Sequence, residues 1–293
     1  RITRWAAMAI KAKIYLFEGN WTQVKNITST IMTEGGFKLF GSYAGLFEIA
    51  NEYNSEVILD AQYRPTSREH QMMYVFLPPT LGGYSQLSPL QELVDSYIML
   101  DGKTIKETGT SFDESHPYAN RDPRLKATVM YTGNSYTLAD GTEVVINCEK
   151  GEGKDGYGVG SDCSATGYYI KKYWDNTYRA TLYSGLNPIL IRYADILLMN
   201  AEALAELGEL DKTAWDATIK PIRDRAGFTL ASALEFPEGA SKDKLIEIVR
   251  NERRSELALE GHRHKDIIRW RIADNVLNGW CHGLKTNDVV GTD

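Results

Sequence analysis

The chain has 293 residues, 43% hydrophobic and 25% charged, so it can bury a sizeable core and is too apolar to be globally disordered. Its formal net charge is −6 with no long basic run, which leaves a nucleic-acid partner without an electrostatic footprint. The three cysteines, Cys148, Cys163 and Cys281, make no CxxC or Cys/His cluster; this argues against zinc and leaves a Cys148–Cys163 disulfide open.

Arg1 to Trp5 run into a helical pattern with no Met and no evident cap, and Asn287 to Asp293 close no element, so both ends read as cut. No signal peptide or transmembrane stretch is present, which in a cut chain says nothing about targeting. Residues 3–17 repeat Trp5, Met8, Ala9, Ala12, Tyr15 and Leu16 at helical spacing, ended by Gly19-Asn20. A second helix follows from Trp21 to Met32 and stops at Gly35-Gly36. A similar pair recurs far downstream, with a helix over 189–207 broken at Gly208 and another from about Asp211. Superimposing Gly19 on Gly208 aligns Ala12 with Ala201, Tyr15 with Leu204 and Trp21 with Leu210. A small residue for close approach, a glycine turn and a large packing residue are the parts of a tetratricopeptide-type hairpin; two ordinary helical hairpins remain the alternative.

Between these pairs the texture loosens. A strand-like run lies in 54–63, a loop over 64–89 and a short helix over 90–99. Residues 125–131 and 142–148 alternate as strands of a small hairpin or sheet would, 149–167 is a Gly-rich loop, and 168–174 is an aromatic strand-like run. The last strong element starts at Ser241, a suitable N-cap, and carries charged residues on or beside its apolar stripe. Pro221 predicts a kink or break near Lys220. The fold class is therefore mainly α, with helical hairpins, long loops and a small β-hairpin insertion.

Four ordered segments carry a family resemblance. They are Asn120-Arg121-Asp122-Pro123-Arg124-Leu125, the helix Arg192 to Ala203, Arg223-Asp224-Arg225-Ala226-Gly227, and Glu252 to Arg263 followed by Asp266 and Arg269-Trp270. Together they resemble the SusD/RagB family of Bacteroidetes surface lipoproteins. The resemblance implies a SusD-like α-superhelix over 1–293 as a single domain without the family's N-terminal region and C-terminal tail. Repeat-like hairpins would occupy 1–34 and 189–227, and a loop-rich ligand-binding insertion 54–180. It further implies surface capture of glycans without catalysis, and delivery to a SusC-like TonB-dependent transporter at the outer membrane. The lipid anchor would lie outside this chain. His264-Lys265 departs from the aromatic or apolar residues usual in the family.

The charged segment itself invites a catalytic reading. Glu252 and Glu256 are one helical turn apart, which suits a glycosidase pair. Arg253, Arg254 and Arg263 crowd them, however, and arginines keep carboxylates ionised, the wrong state for a general acid. A buried ion-pair network that fixes the last helices is the preferred reading. No cofactor is implied: His262 and His264 lie on different sides of a helix, and the acidic Gly-rich loop with Asp155 and Asp162 lacks EF-hand spacing.

The aromatics in loops are the candidate ligand contacts, because a sugar's C–H face stacks on a flat ring while polar neighbours bond its hydroxyls. They are Tyr63, Tyr74, Tyr84, Tyr118, Trp174 and Tyr178, with Asp175 and Asn176 beside Trp174 as hydroxyl partners. For each ring the competing role is a core or rim position. The rival functions are a helical-repeat adaptor or peptide-binding relative, and a glycoside hydrolase.

Overall fold

The computed structural model describes residues 2–177 and 181–286. Its helices in chain order are α1 (Arg4–Glu18), α2 (Trp21–Glu34), α3 (Met72–Phe76), α4 (Gln91–Ser96), α5 (Pro123–Thr128), α6 (Tyr193–Leu207), α7 (Lys212–Ala226), α8 (Ala231–Leu234), α9 (Lys242–Glu256), α10 (Arg263–Arg269) and α11 (Ala273–Leu277). The strands are β1 (Val57–Asp60), β2 (Val129–Met130), β3 (Ser135–Thr137), β4 (Glu143–Val145), β5 (Tyr169–Ile170) and β6 (Ile189–Arg192). The chain divides into two compact units. The first comprises Arg1–Gln62, Ser96–Leu125 and Asn187–Gly279; the second comprises Tyr63–Asp95, Lys126–Leu186 and Trp280–Asp293.

The first unit is built on paired helices. Helix α1 buries Ala6, Ala9, Ala12 and Leu16, a stripe whose small side chains let α2 and α6 come close. It is capped after all: Thr3 Oγ1 accepts from Ala6 N–H at 3.1 Å, satisfying one of the donors a helix start leaves open. Gly19 and Gly208 both sit at φ +73°, the left-handed turn that ends α1 and α6 with little steric cost to glycine. Asn20 then caps α2 through Gln23 N–H, and Asp211 caps α7 through Ala214 N–H. The two hairpins thus share a closing glycine and a following Asx cap, and Ala12 and Ala201 are both fully buried. Asn200 ties α6 to α2 by donating to Thr28 Oγ1 at 2.9 Å.

Two expectations change here. Residues 189–192 are strand, not helix: β6 pairs antiparallel with β1 in the register Val57↔Arg192, Leu59↔Ile191 and Asp60↔Ile189. An Ile-rich run beside the equally short, mostly aliphatic strand Val57–Asp60 outweighs the weak helical signal of its first four residues. Helix α7 also continues through Pro221 without a break. Proline removes one hydrogen bond there, while Trp215, Ile219 and Ile222 on either side stay packed in the core with Val249 of α9 and Leu198 of α6.

The second unit has its own core, in which Met73, Phe76, Leu77, Tyr136, Ile146, Tyr169 and Trp174 meet. Residues 125–131 and 142–148 do not pair with one another. Instead β2 pairs with β5 (Val129↔Ile170), and β3 forms a hairpin with β4 (Tyr136↔Val144), while 123–128 is helical. Pro123 at the first helical position suits a helix start, and short alternation alone could not choose the partner strand. The loop over 64–89 contains α3 and a 3-10 turn at Pro79–Leu81.

Candidate functional site

The charged segment from Glu252 to Trp270 lies in the first unit as part of two buried networks. In one, Arg124 holds Asp122 (2.7 Å), Glu252 (2.6 Å) and Glu256 (2.9 Å). Arg192 holds Glu56 (2.8 Å), Glu256 (2.5 Å) and Glu260 (2.7 Å), Arg225 holds Glu56 and Glu256, and Arg223 holds Glu252. In the other, Arg253 bridges Asp195 (2.6 Å) and Asp266 (2.9 Å), and Lys13 joins Asp195 at 2.8 Å. Arg269 forks onto Glu202 through both terminal nitrogens, and the Trp270 indole N–H donates to the same carboxylate at 2.6 Å. The β1–β6 pairing sets Glu56 beside Arg192, and the seven-residue interval from Asp195 to Glu202 puts both acids on one face of α6. Acids inside an apolar helical run are the signal that would have found these two; Glu56 had none, since only the sheet brings it in.

The chemistry of the networks is that of structure. Glu256 is fully buried, yet Arg225, Arg192 and Arg124 hold its carboxyl well below the usual range against the desolvation that raises it. Glu252 is lowered by Arg124 and Arg223 in the same contest with burial. Burial pushes the Asp122 carboxyl up despite Arg124, but both its oxygens are committed to that guanidinium and it is 1% exposed, so it offers no proton to a ligand. Burial also lowers His262 to about 4, and its Nδ1 lies 3.4 Å from the Arg253 guanidinium, an acceptor's position for a neutral ring.

The loop aromatics fall mostly in the second unit. Tyr74 and Tyr84 are brought together: Tyr84 N–H donates to Tyr74 O at 2.9 Å, and the rings stack at 4.3 Å and 30°. Gly83 makes this return possible, because a Cβ there would sit 2.1 Å from Leu77 O. Tyr84 is 39% exposed. The Tyr84 hydroxyl, partial burial and the Asp162 carboxylate all push the Tyr74 phenol up, so it stays a neutral donor. The sequence offers a ring beside a carboxylate and an amide at Trp174; the structure instead pairs two tyrosine rings, and only the fold brings Tyr74 and Tyr84 together.

Trp174 is buried at 9% exposure; its ring meets Tyr136 edge-on and its N–H donates to Thr137 O at 2.8 Å. Asp175 is 2% exposed and accepts from Thr177 N–H (2.9 Å), Thr177 Oγ1 and Ser184 Oγ, which staples its own loop. Asn176 is half-buried beside it. Tyr63 is half-buried, edge-on to His70 with Arg68 over its face. Tyr118 is half-buried and belongs to the first unit. Tyr178 lies outside the described residues.

Asp155 of the Gly-rich loop accepts from Thr80 N–H at 2.7 Å and from Thr80 Oγ1, and among the described residues no group of three or more His, Cys, Asp or Glu could hold a metal. Cys148 and Cys163 are both free; burial pushes the Cys148 thiol up to about 12.

The sequence profile of the SusD family matches residues 45–289, and the chain belongs to that family. A SusD-like protein of Formosa agariphila is 28% identical over 301 aligned residues, covering 94% of this chain and 51% of its own length. Two crystal structures from Bacteroides fragilis share the fold. One, a SusD-like carbohydrate-binding protein, is 30% identical with a TM-score of 0.84, covering 97% of this chain and 55% of that one. The other, a SusD-like protein, is 27% identical with a TM-score of 0.80, covering 98% and 58%. The chain spans about half the length of the relatives it matches.

Proposed function

We propose that this chain is part of a cell-surface protein that captures glycans, oligo- or polysaccharides, and delivers them to a SusC-like TonB-dependent outer-membrane transporter without chemical change. Membership of the SusD family, with a carbohydrate-binding relative similar over nearly the whole chain, carries the reading. The half-exposed Tyr74–Tyr84 pair supports it with suitable chemistry: flat rings for sugar C–H faces and phenol hydroxyls as donors and acceptors. Tyr63 and Asn176 of the same unit are rim contacts in this proposal; Trp174 and Asp175 hold the loop that carries Asn176. Attachment to the outer membrane through a lipid anchor is part of this proposal; among the described residues no helix is long and apolar enough to cross a membrane.

The test is a glycan array probed with the intact protein, followed by calorimetry on the strongest glycan and a reducing-sugar assay of the mixture. Bound glycan with no released sugar supports the proposal. Released sugar would make the protein a hydrolase, and no retained glycan would favour the adaptor reading.

A further inference from the structure

A groove of about 510 Å³ lies in the first unit between α9 and α10. One wall is a single face of α9 carrying Asp243, Glu247, Arg250 and Arg254; Arg263 of α10 and the Trp270 side chain stand opposite. Ile246 and Ile272 supply apolar wall. The groove is two-signed along its length. Asp243 and Glu247 are exposed near the start of α9, and the three arginines gather toward its end. Eleven residues separate Asp243 from Arg254, about 16 Å along a helix.

Arg263 is the unusual residue. It is half-buried, yet it makes no hydrogen bond and no ion pair with a described residue. Its contact is the Trp270 face, 5.8 Å from the ring centre. Asp266, the acid that attracts it, is already held by Arg253 and Arg269. Arg250 Nη2 donates to Glu206 at 2.9 Å, and its guanidinium lies over the Trp270 ring, 5.0 Å from the centre. Elsewhere in this unit Arg124, Arg192, Arg223, Arg225, Arg253 and Arg269 each hold at least one carboxylate. A guanidinium partly drawn from water with no counter-charge weakens a fold; those six are matched and Arg263 is not, among the described residues.

We propose that this groove docks an acidic segment of a partner polypeptide. A Glu or Asp carboxylate enters beside the Arg263 guanidinium. An apolar neighbour lies on Ile246 and Ile272, and a basic residue meets Asp243 and Glu247. An isolated anion would use only the arginine end; the length and the second, acidic end call for a ligand with several different side chains. The site is independent of glycan capture, so an empty glycan array leaves it standing.

Random peptides displayed on phage, selected on the intact protein and counter-selected on Arg263→Gln, test it. Enriched peptides should carry an acid together with a base. A synthetic copy of the leading peptide should bind the variant at least about ten-fold more weakly and lose affinity as salt rises from about 50 to 500 mM. Because Arg263 holds no carboxylate among the described residues, and glutamine keeps a flat polar group against Trp270, Arg263→Gln should keep or raise the Tm; a lowered Tm would mean a structural arginine and overturn the proposal. Enrichment of peptides without acids, equal binding to the variant, or no enrichment would each overturn it as well. So would an Arg263-dependent heat from oligogalacturonate with none from the peptide, since the groove would then hold an anionic sugar.

Discussion

Replacing Glu256 probes the claim that the charged segment is structural. The residue is fully buried; Arg192 and Arg225 reach Oε1, Arg124 reaches Oε2 at 2.9 Å, and Arg192 Nη2 also donates to its main-chain carbonyl at 2.7 Å. Removing one partner of a buried ion pair costs about 3–5 kcal/mol, because the other charge is stranded. Here no arginine is fully stranded: Arg124 keeps Asp122 and Glu252, Arg192 keeps Glu56 and Glu260, and Arg225 keeps Glu56. Glu256→Ala should therefore fall at the low end, about 3 kcal/mol, while Glu256→Gln keeps the shape and an acceptor and should cost about 2 kcal/mol. For a chain of this size about 3 kcal/mol lowers Tm by roughly 6–12 °C. Thermal melts at neutral pH, with urea unfolding to check that the m-value is unchanged, would measure both. Lys242→Ala, exposed on the same helix, is the control and should stay within about 0.5 kcal/mol. A Glu256→Ala shift no larger than the control's would refute the network's structural role, and so would a glutamine variant less stable than the alanine one.

The neighbouring His262 gives a pH signature. Its folded value is depressed to about 4 by burial, with Lys13, Asp195, Arg253 and Glu260 around it, so its contribution is present above about 6.5 and is lost as pH falls toward 4. Tm should therefore drop across that window, and His262→Gln should flatten the slope; a wild-type Tm that rises on acidification would contradict the assignment. Glu252→Ala should lower Tm while leaving glycan affinity unchanged, as calorimetry on the array's leading glycan can show; lost affinity at an unchanged Tm would reverse the reading. Tyr84→Ala should do the opposite, weakening glycan affinity by about ten-fold, or 1.4 kcal/mol, with little change in Tm. Trp174→Ala should cost about 3–5 kcal/mol because the ring is core; a stable variant that had lost only glycan binding would restore Trp174 as a contact.

The helical part of the fold was legible from the sequence because its determinants are local. A stripe of small and apolar residues, a glycine that tolerates φ +73° and an Asx cap define each hairpin within a few residues, and the same chemistry recurs at Gly19-Asn20 and Gly208 to Asp211. The ordered charged motifs identified the family for the same reason: they are contiguous strings. Strand pairing was not legible, since whether β2 meets β4 or β5 depends on which chain returns beside it and not on its own two residues. Nor was the fate of the loop aromatics. Trp174, with a carboxylate and an amide beside it, has the best local chemistry but turns inward, while Gly83 folds Tyr84 back onto Tyr74 under the influence of Asp162.

The segment from Glu252 to Trp270 divides along the same line. By itself the sequence determined that arginines and carboxylates alternate there at helical spacing, and hence that the acids stay ionised. Only the tertiary structure decided which charges are matched, because Glu56, Asp122, Arg124, Asp195 and Glu202 arrive from other elements. A buried charge is neutralised by whatever the fold brings within about 4 Å. Arg253 thereby becomes a saturated bridge, and Arg263, ten residues on, pairs with no carboxylate among the described residues.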